Sequence, residues 1–182
     1  EMARTQTVRS VTMMRNALIL SVVLALAACS PKTDAAKALG APEVQSEQSK
    51  AFMAKAAKDA GVKVLPSGLA YRVVRSGPAT GLKPQLSDEV KVHYEGKLED
   101  GKVFDSSYER GAPAAMPLNG LIPGWQEALQ LMRPGDEWIL YVPSNLGYGE
   151  NGAGGEIPPG APLTFRIELI DVLPGPGRIQ NG

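Results

Sequence analysis

VHYEGKLEDGKVFDSS, running from Val92 to Ser107, is the stretch from which the rest of the chain can be ordered. Val90, Val92 and Tyr94 alternate with Lys91, His93 and Glu95, the period of two that turns one face of a strand to a core and the other to water. Asp100 and Gly101 are the pair that a tight hairpin turn selects, because its central residues must tolerate positive φ. The returning strand carries Phe104 beside Asp105, so a ring and a carboxylate arrive at one corner of a sheet.

On the N-terminal side, Leu69, Tyr71 and Val73 mark a first strand, followed by a loop with several breakers from Gly77 to Pro84. On the C-terminal side, Gly111 to Pro117 is expected to be irregular. A helix is expected to begin near Pro123, where proline's missing donor is not needed, and to end at Pro134 and Gly135. Ile122, Trp125, Leu129 and Met132 would share one side of it, over barely three turns, so packing and not propensity must hold it. Trp138, Leu140 and Val142 alternate, a long loop spans Pro143 to Pro162, and Leu163, Phe165, Ile167 and Leu169 alternate again. Strands on both sides of one short helix imply an α+β domain in which an antiparallel twisted sheet wraps around that helix.

The chain has 182 residues, enough for one domain with extensions. Lysine and arginine number 19, as do aspartate and glutamate, so no net field draws the protein to nucleic acid. Aromatic residues are only 5% of the chain, which gives each of them weight in the argument. The glycine-rich run Gly147 to Gly155 lacks the Lys and Ser or Thr of a phosphate loop. His93 is the single histidine, and with one cysteine no multi-ligand metal site is expected.

That cysteine, Cys29, follows the apolar run Ala17 to Ala28, itself preceded by Arg15. At about 12 residues the run is short of the ~20 that a spanning helix needs, and it has the form of a signal peptide over residues 1–28. Leu26, Ala27, Ala28 and Cys29 look like a bacterial lipobox, in which the cysteine thiol takes a diacylglyceryl group and becomes the new N-terminus. Met13 or Met14 would begin a complete signal, so residues upstream of Met13 are expected not to be native. Ser30 follows the cysteine where inner-membrane retention usually requires aspartate, which points to an outer-membrane anchor. Residues 29–65 are expected to be a tether, poor in large apolar groups, spanning ~30–35 Å if flexible. A short helix is expected within it, capped by Ser46, carrying Phe52, Ala56 and Ala60, and stopped by Gly61. Residues 174–182 are expected to be a disordered tail.

The hairpin, with FDSS at Phe104 to Ser107, IPGW at Ile122 to Trp125, GYG at Gly147 to Gly149 and IPPG at Ile157 to Gly160, resembles the FKBP family of peptidyl-prolyl cis-trans isomerases. The resemblance covers roughly Pro66 to Leu173, the expected domain at 66–173, and rests on separated motifs in the family's order. It implies a cofactor-free isomerase acting on proline-containing polypeptides. Trp125 would be the floor under the prolyl ring, with Tyr94, Phe104, Leu121, Ile122, Ile157 and Phe165 around it. Tyr148 would donate to a substrate carbonyl and the Ile122 N–H to another. Asp105 would act on the rotating carbonyl or fix Tyr94 by a hydrogen bond, the second being favoured. The alternative is a non-catalytic chaperone module that holds proline segments.

By spacing from Phe104, Ala114 stands where many members of that family have an aromatic wall, so a more open pocket with weaker binding of macrolide inhibitors is expected. Similar tether helices precede the domain in macrophage-infectivity-potentiator-like bacterial proteins, usually with a longer dimerisation arm. A monomer is the expectation here.

Overall fold

The computed structural model describes residues 45–176; the apolar N-terminal run, Cys29 and the last residues of the chain lie outside the described residues. The elements in order are α1 (Glu47–Ala56), β1 (Val62–Val64), β2 (Ala70–Arg75), β3 (Glu89–Lys97), β4 (Val103–Ser106), β5 (Ala114–Pro117), α2 (Pro123–Leu129), β6 (Glu137–Val142) and β7 (Leu163–Leu173). Every pairing is antiparallel, in the spatial order β1-β2-β6-β7-β3-β4.

β3 is the spine. It pairs along its whole length with β7, Glu89 against Leu173 through to Lys97 against Thr164. Its other edge is shared, by β5 opposite Glu89 to Val92 and by β4 opposite Glu95 to Lys97. The chain therefore leaves that edge after Ser106 and returns at Ala114. The strand at Ala114–Pro117 corrects the expectation of irregular structure there: Ala-Ala-Met-Pro carries little strand propensity, and pairing with β3 supplies what the local sequence lacks.

Alternation becomes burial as read. Val90, Val92, Leu140, Leu163, Ile167 and Leu169 are wholly buried, each contributing roughly 1.5–3 kcal/mol relative to exposure. The sheet closes over α2, from which Trp125, Ala128 and Leu129 reach the core. This helix ends at Leu129, short of the expected Pro134 stop, and Met132 is fully buried from the turn beyond it. The hairpin between β3 and β4 is also longer by one residue than expected. Leu98 N–H donates to Lys102 O (2.9 Å) and Gly101 N–H to Leu98 O (3.0 Å), leaving a loop of Glu99, Asp100 and Gly101 in which Gly101 has positive φ (86°).

At the N-terminal end Ser46 caps α1, its side chain accepting from Ser49 N–H (3.1 Å). The helix stops at Ala56, before the Gly61 stop read from the sequence. Two features fall in segments expected to be unstructured. Val62–Val64 forms β1, paired with β2, inside the span read as tether. Gly175 N–H donates to Asp88 Oδ1 (2.9 Å), in the span read as tail.

Candidate active site

The concave side of the sheet receives α2 at close range because Gly124 is a glycine. A Cβ there would stand 2.9 Å from Val142 Cγ1 and 3.2 Å from Leu146 O. Ile122 precedes the helix in extended conformation and Pro123 opens it, so Trp125 is delivered one turn in, 4% exposed. Its indole meets the Tyr94 ring edge to face (centroids 5.1 Å apart, 82°) and the Phe165 ring likewise (5.2 Å, 86°). Phe104 in turn meets Phe165 at 5.6 Å and 88°. T-shaped pairs of this kind contribute about 0.5–1.5 kcal/mol beyond burial and fix ring planes against one another.

The rings fit because position 96 carries no side chain. A Cβ on Gly96 would lie 2.6 Å from Phe104 Cζ and 2.8 Å from Phe165 Cε1. Above them opens a hollow of about 260 Å³, lined by Tyr94, Phe104, Asp105, Met116, Gly120, Leu121, Ile122, Trp125, Tyr148 and Phe165. Eight of the residues singled out from sequence thus meet in one place: Tyr94, Phe104, Asp105, Leu121, Ile122, Trp125, Tyr148 and Phe165. Ile157 does not line it. That residue, 7% exposed and packed in the core, is bridged to Ala153 and lines an adjoining hollow whose walls include Phe104, Asp105 and Tyr148. Ala114 also stands off the lining. It is paired with Val92 in β3, and Met116, two residues on along the same strand, is the β5 residue that lines the hollow.

The polar rim is built around Asp105. Tyr94 Oη donates to Asp105 Oδ2 (2.5 Å), Arg110 Nη2 donates to Tyr94 Oη (2.8 Å), and Arg110 Nη1 pairs with Asp105 Oδ1. The guanidinium also lies 5.4 Å from the Tyr94 ring centroid. Burial works against the Asp105 charge, but the hydrogen bonds from Tyr94 and Arg110 together outweigh it and hold the carboxyl below the usual carboxylate range. Burial, then the bond to Asp105, raises the Tyr94 phenol. Both carboxylate oxygens are engaged and ionised at neutral pH, an arrangement suited to holding Tyr94 in place and unsuited to giving up a proton.

Tyr148 stands across the hollow, 38% exposed, in the turn before a short 3-10 segment at Gly149–Asn151. Burial first, and the Asp105 charge second, raise its phenol, so it remains a neutral donor through the physiological range. Trp125 Nε1 is buried with no hydrogen-bond partner among the described residues. His93 lies on the opposite strand face, with Nδ1 2.9 Å from Ser107 Oγ and its ring stacked on Tyr108 (4.6 Å, 12°). Among the described residues no three His, Cys, Asp or Glu side chains come together.

Sequence reasoning missed Arg110, Met116 and Gly120. Arg110 carried only one signal, a basic residue five positions after Asp105, and its return to the hollow depends on the turn that follows β4.

Residues 81–170 match the family model described as FKBP-type peptidyl-prolyl cis-trans isomerase, and residues 10–73 match the domain amino terminal to it. The chain is 51% identical over 127 residues to the peptidyl-prolyl cis-trans isomerase Mip of Coxiella burnetii, covering 70% of this chain and 54% of that protein. It is 48% identical over 122 residues to the outer membrane protein MIP of Legionella longbeachae, covering 67% and 52%. The chain thus spans about half the length of the curated relatives it matches. A crystal structure of a peptidyl-prolyl cis-trans isomerase from Pseudomonas syringae pv. tomato superposes with a TM-score of 0.64 at 42% identity, covering 69% of this chain and 91% of that one.

Proposed function

Because the chain belongs to the FKBP-type peptidyl-prolyl cis-trans isomerase family, we propose that it accelerates rotation about X–Pro bonds in polypeptides, with the prolyl ring seated on Trp125. The barrier to that rotation is ~18–20 kcal/mol, and the unaided step takes tens to hundreds of seconds. Reaching milliseconds requires a factor of ~10⁴ or more, hence about 5–6 kcal/mol of preference for the twisted amide. No heavy-atom bond breaks. A twisted amide has lost charge separation, so a water-poor apolar surface favours it over the planar form.

The observation that carries the reading is the set of edge-to-face contacts joining Tyr94, Trp125, Phe165 and Phe104 beneath one hollow. Tyr148 supplies a donor at the rim for a substrate carbonyl, and the N–H of Ile122, just ahead of α2, would serve a second. Asp105 orients Tyr94 and takes no proton. Macrolide inhibitors would compete for the same hollow. The test is relaxation of a short X–Pro peptide with the full chain present: faster relaxation is expected, and binding without acceleration would select a proline-segment holder instead.

Lipidation at Cys29 would place the domain on the periplasmic face of the outer membrane, a reading supported by the lipobox-like residues and by a relative that bears an outer-membrane name. The domain would work there as a monomer on exported or folding proteins. A mass increment of one diacylglyceryl group and one acyl chain on membrane-extracted protein, lost in Cys29→Ser, is the expected result.

A further inference from the structure

We propose that α1 is a positioning element for the candidate active site, acting through Ser46 and Ser49 on the loop that carries Tyr148. This rests on the reading of Tyr148 as the residue that touches substrate.

The helix lies outside residues 81–170, the span of the isomerase family match, yet it is tied to the site at three points. Ser144 N–H donates to Ser49 Oγ (2.8 Å), and both serines are wholly buried. Ser46 N–H donates to Ser144 Oγ (3.3 Å). Ser46 Oγ donates to Gly160 O (2.6 Å), and Gly160 N–H donates to Gly149 O (2.8 Å). The loop is therefore fastened just before Tyr148, at Ser144, and just after it, at Gly149. Gln48 Nε2 adds a bond to Glu99 Oε2 (2.7 Å), on the hairpin that leads into Phe104 and Asp105.

The fit is two-sided. Gly160 has φ +71°, and a Cβ there would stand 2.9 Å from Ser46 Cβ, so the loop approaches the helix at a distance only glycine allows. A helix of 10 residues is not stable alone in water, and Phe52 against Tyr141 (centroids 6.3 Å apart) is its only ring contact with the sheet among the described residues. Its order comes from the serine bonds, the Gln48–Glu99 bond, that ring contact and the burial of Ala56. A reacting group gains from support of this kind because displacement of a donor by about 1 Å can cost a factor of ~10² in rate.

The test is a double-mutant cycle in the full chain with Ser49→Ala, Tyr148→Phe and the pair. Turnover of a proline peptide and amide hydrogen exchange are read for each variant. Ser49→Ala is expected to speed exchange at residues 144–149 while leaving β3 and β7 unchanged. It is also expected to lower kcat/KM roughly threefold or more with Tyr148 present and less than about twofold in Tyr148→Phe, the non-additivity of coupled groups. Ser46→Ala should repeat the pattern without removing a buried side chain.

Unchanged exchange at residues 144–149 overturns the inference. Equal falls in both backgrounds overturn it too, since the helix would then only stabilise the fold. If the unaltered chain fails to accelerate peptide relaxation, the isomerase reading falls and the exchange result alone decides whether α1 holds the loop.

Discussion

At Gly96 a single methyl group would enter space held by the Phe104 and Phe165 rings. Gly96→Ala is expected to turn Phe104 away from the hollow and lower kcat/KM about tenfold, as displaced catalytic surroundings do. Ring shifts in the aromatic NMR spectrum, with strand register unchanged, would check the cause. The rim residues set the pH behaviour. Asp105 has a folded pKa below its unfolded one, so its contribution is present above the unfolded value and is lost as pH falls through the folded value. Tyr94 has a raised folded pKa, so its contribution is present below the unfolded phenol value and is lost as pH rises through the folded one. Turnover should therefore be level between about pH 5.5 and 9, and an inflection near neutrality would contradict the assignment of Asp105 as an ion-paired holder of Tyr94. The rings were legible because alternation says which side chains face inward. Arg110 was not, because its place depends on a turn in three dimensions that no period encodes.

α2 shows how an element can be read in kind and misread in length. Pro123 marked its start, but Pro134 marks only where a helix can no longer continue, and this one ends earlier, at Leu129. Met132 keeps its place in the core without helical conformation. Gly124 governs how near the element sits to β6. Gly124→Ala would force its new methyl group to within 2.9 Å of Val142 Cγ1, and a loss of about 1–3 kcal/mol in urea unfolding is expected from overpacking of this kind. The turnover rate should fall with it, because Trp125 follows directly in sequence. β5 was missed for the opposite reason: its pairing is imposed by β3 and leaves almost no trace in Ala114 to Pro117.

Across the molecule, hydrophobic alternation predicts which face of each strand is buried and is silent on which strand lies beside which. The order β1-β2-β6-β7-β3-β4 joins segments far apart in the chain, and strands on both sides of one short helix made a wrapped sheet foreseeable without saying which strand lies beside which. α1 belongs to the same lesson. Its Ser46 cap could be read locally, whereas its attachment to Ser144 and Gly160 joins residues about a hundred positions apart and could not. The two tryptophans of the chain are also differently placed: Trp125 floors the hollow, while Trp138 is stacked on Tyr71 (4.3 Å, 10°) and absent from that lining. The protein consequently carries its own optical reporter, since an arriving guest changes the polarity around one indole and leaves the other as an internal reference, and occupancy can be followed by emission with no dye attached.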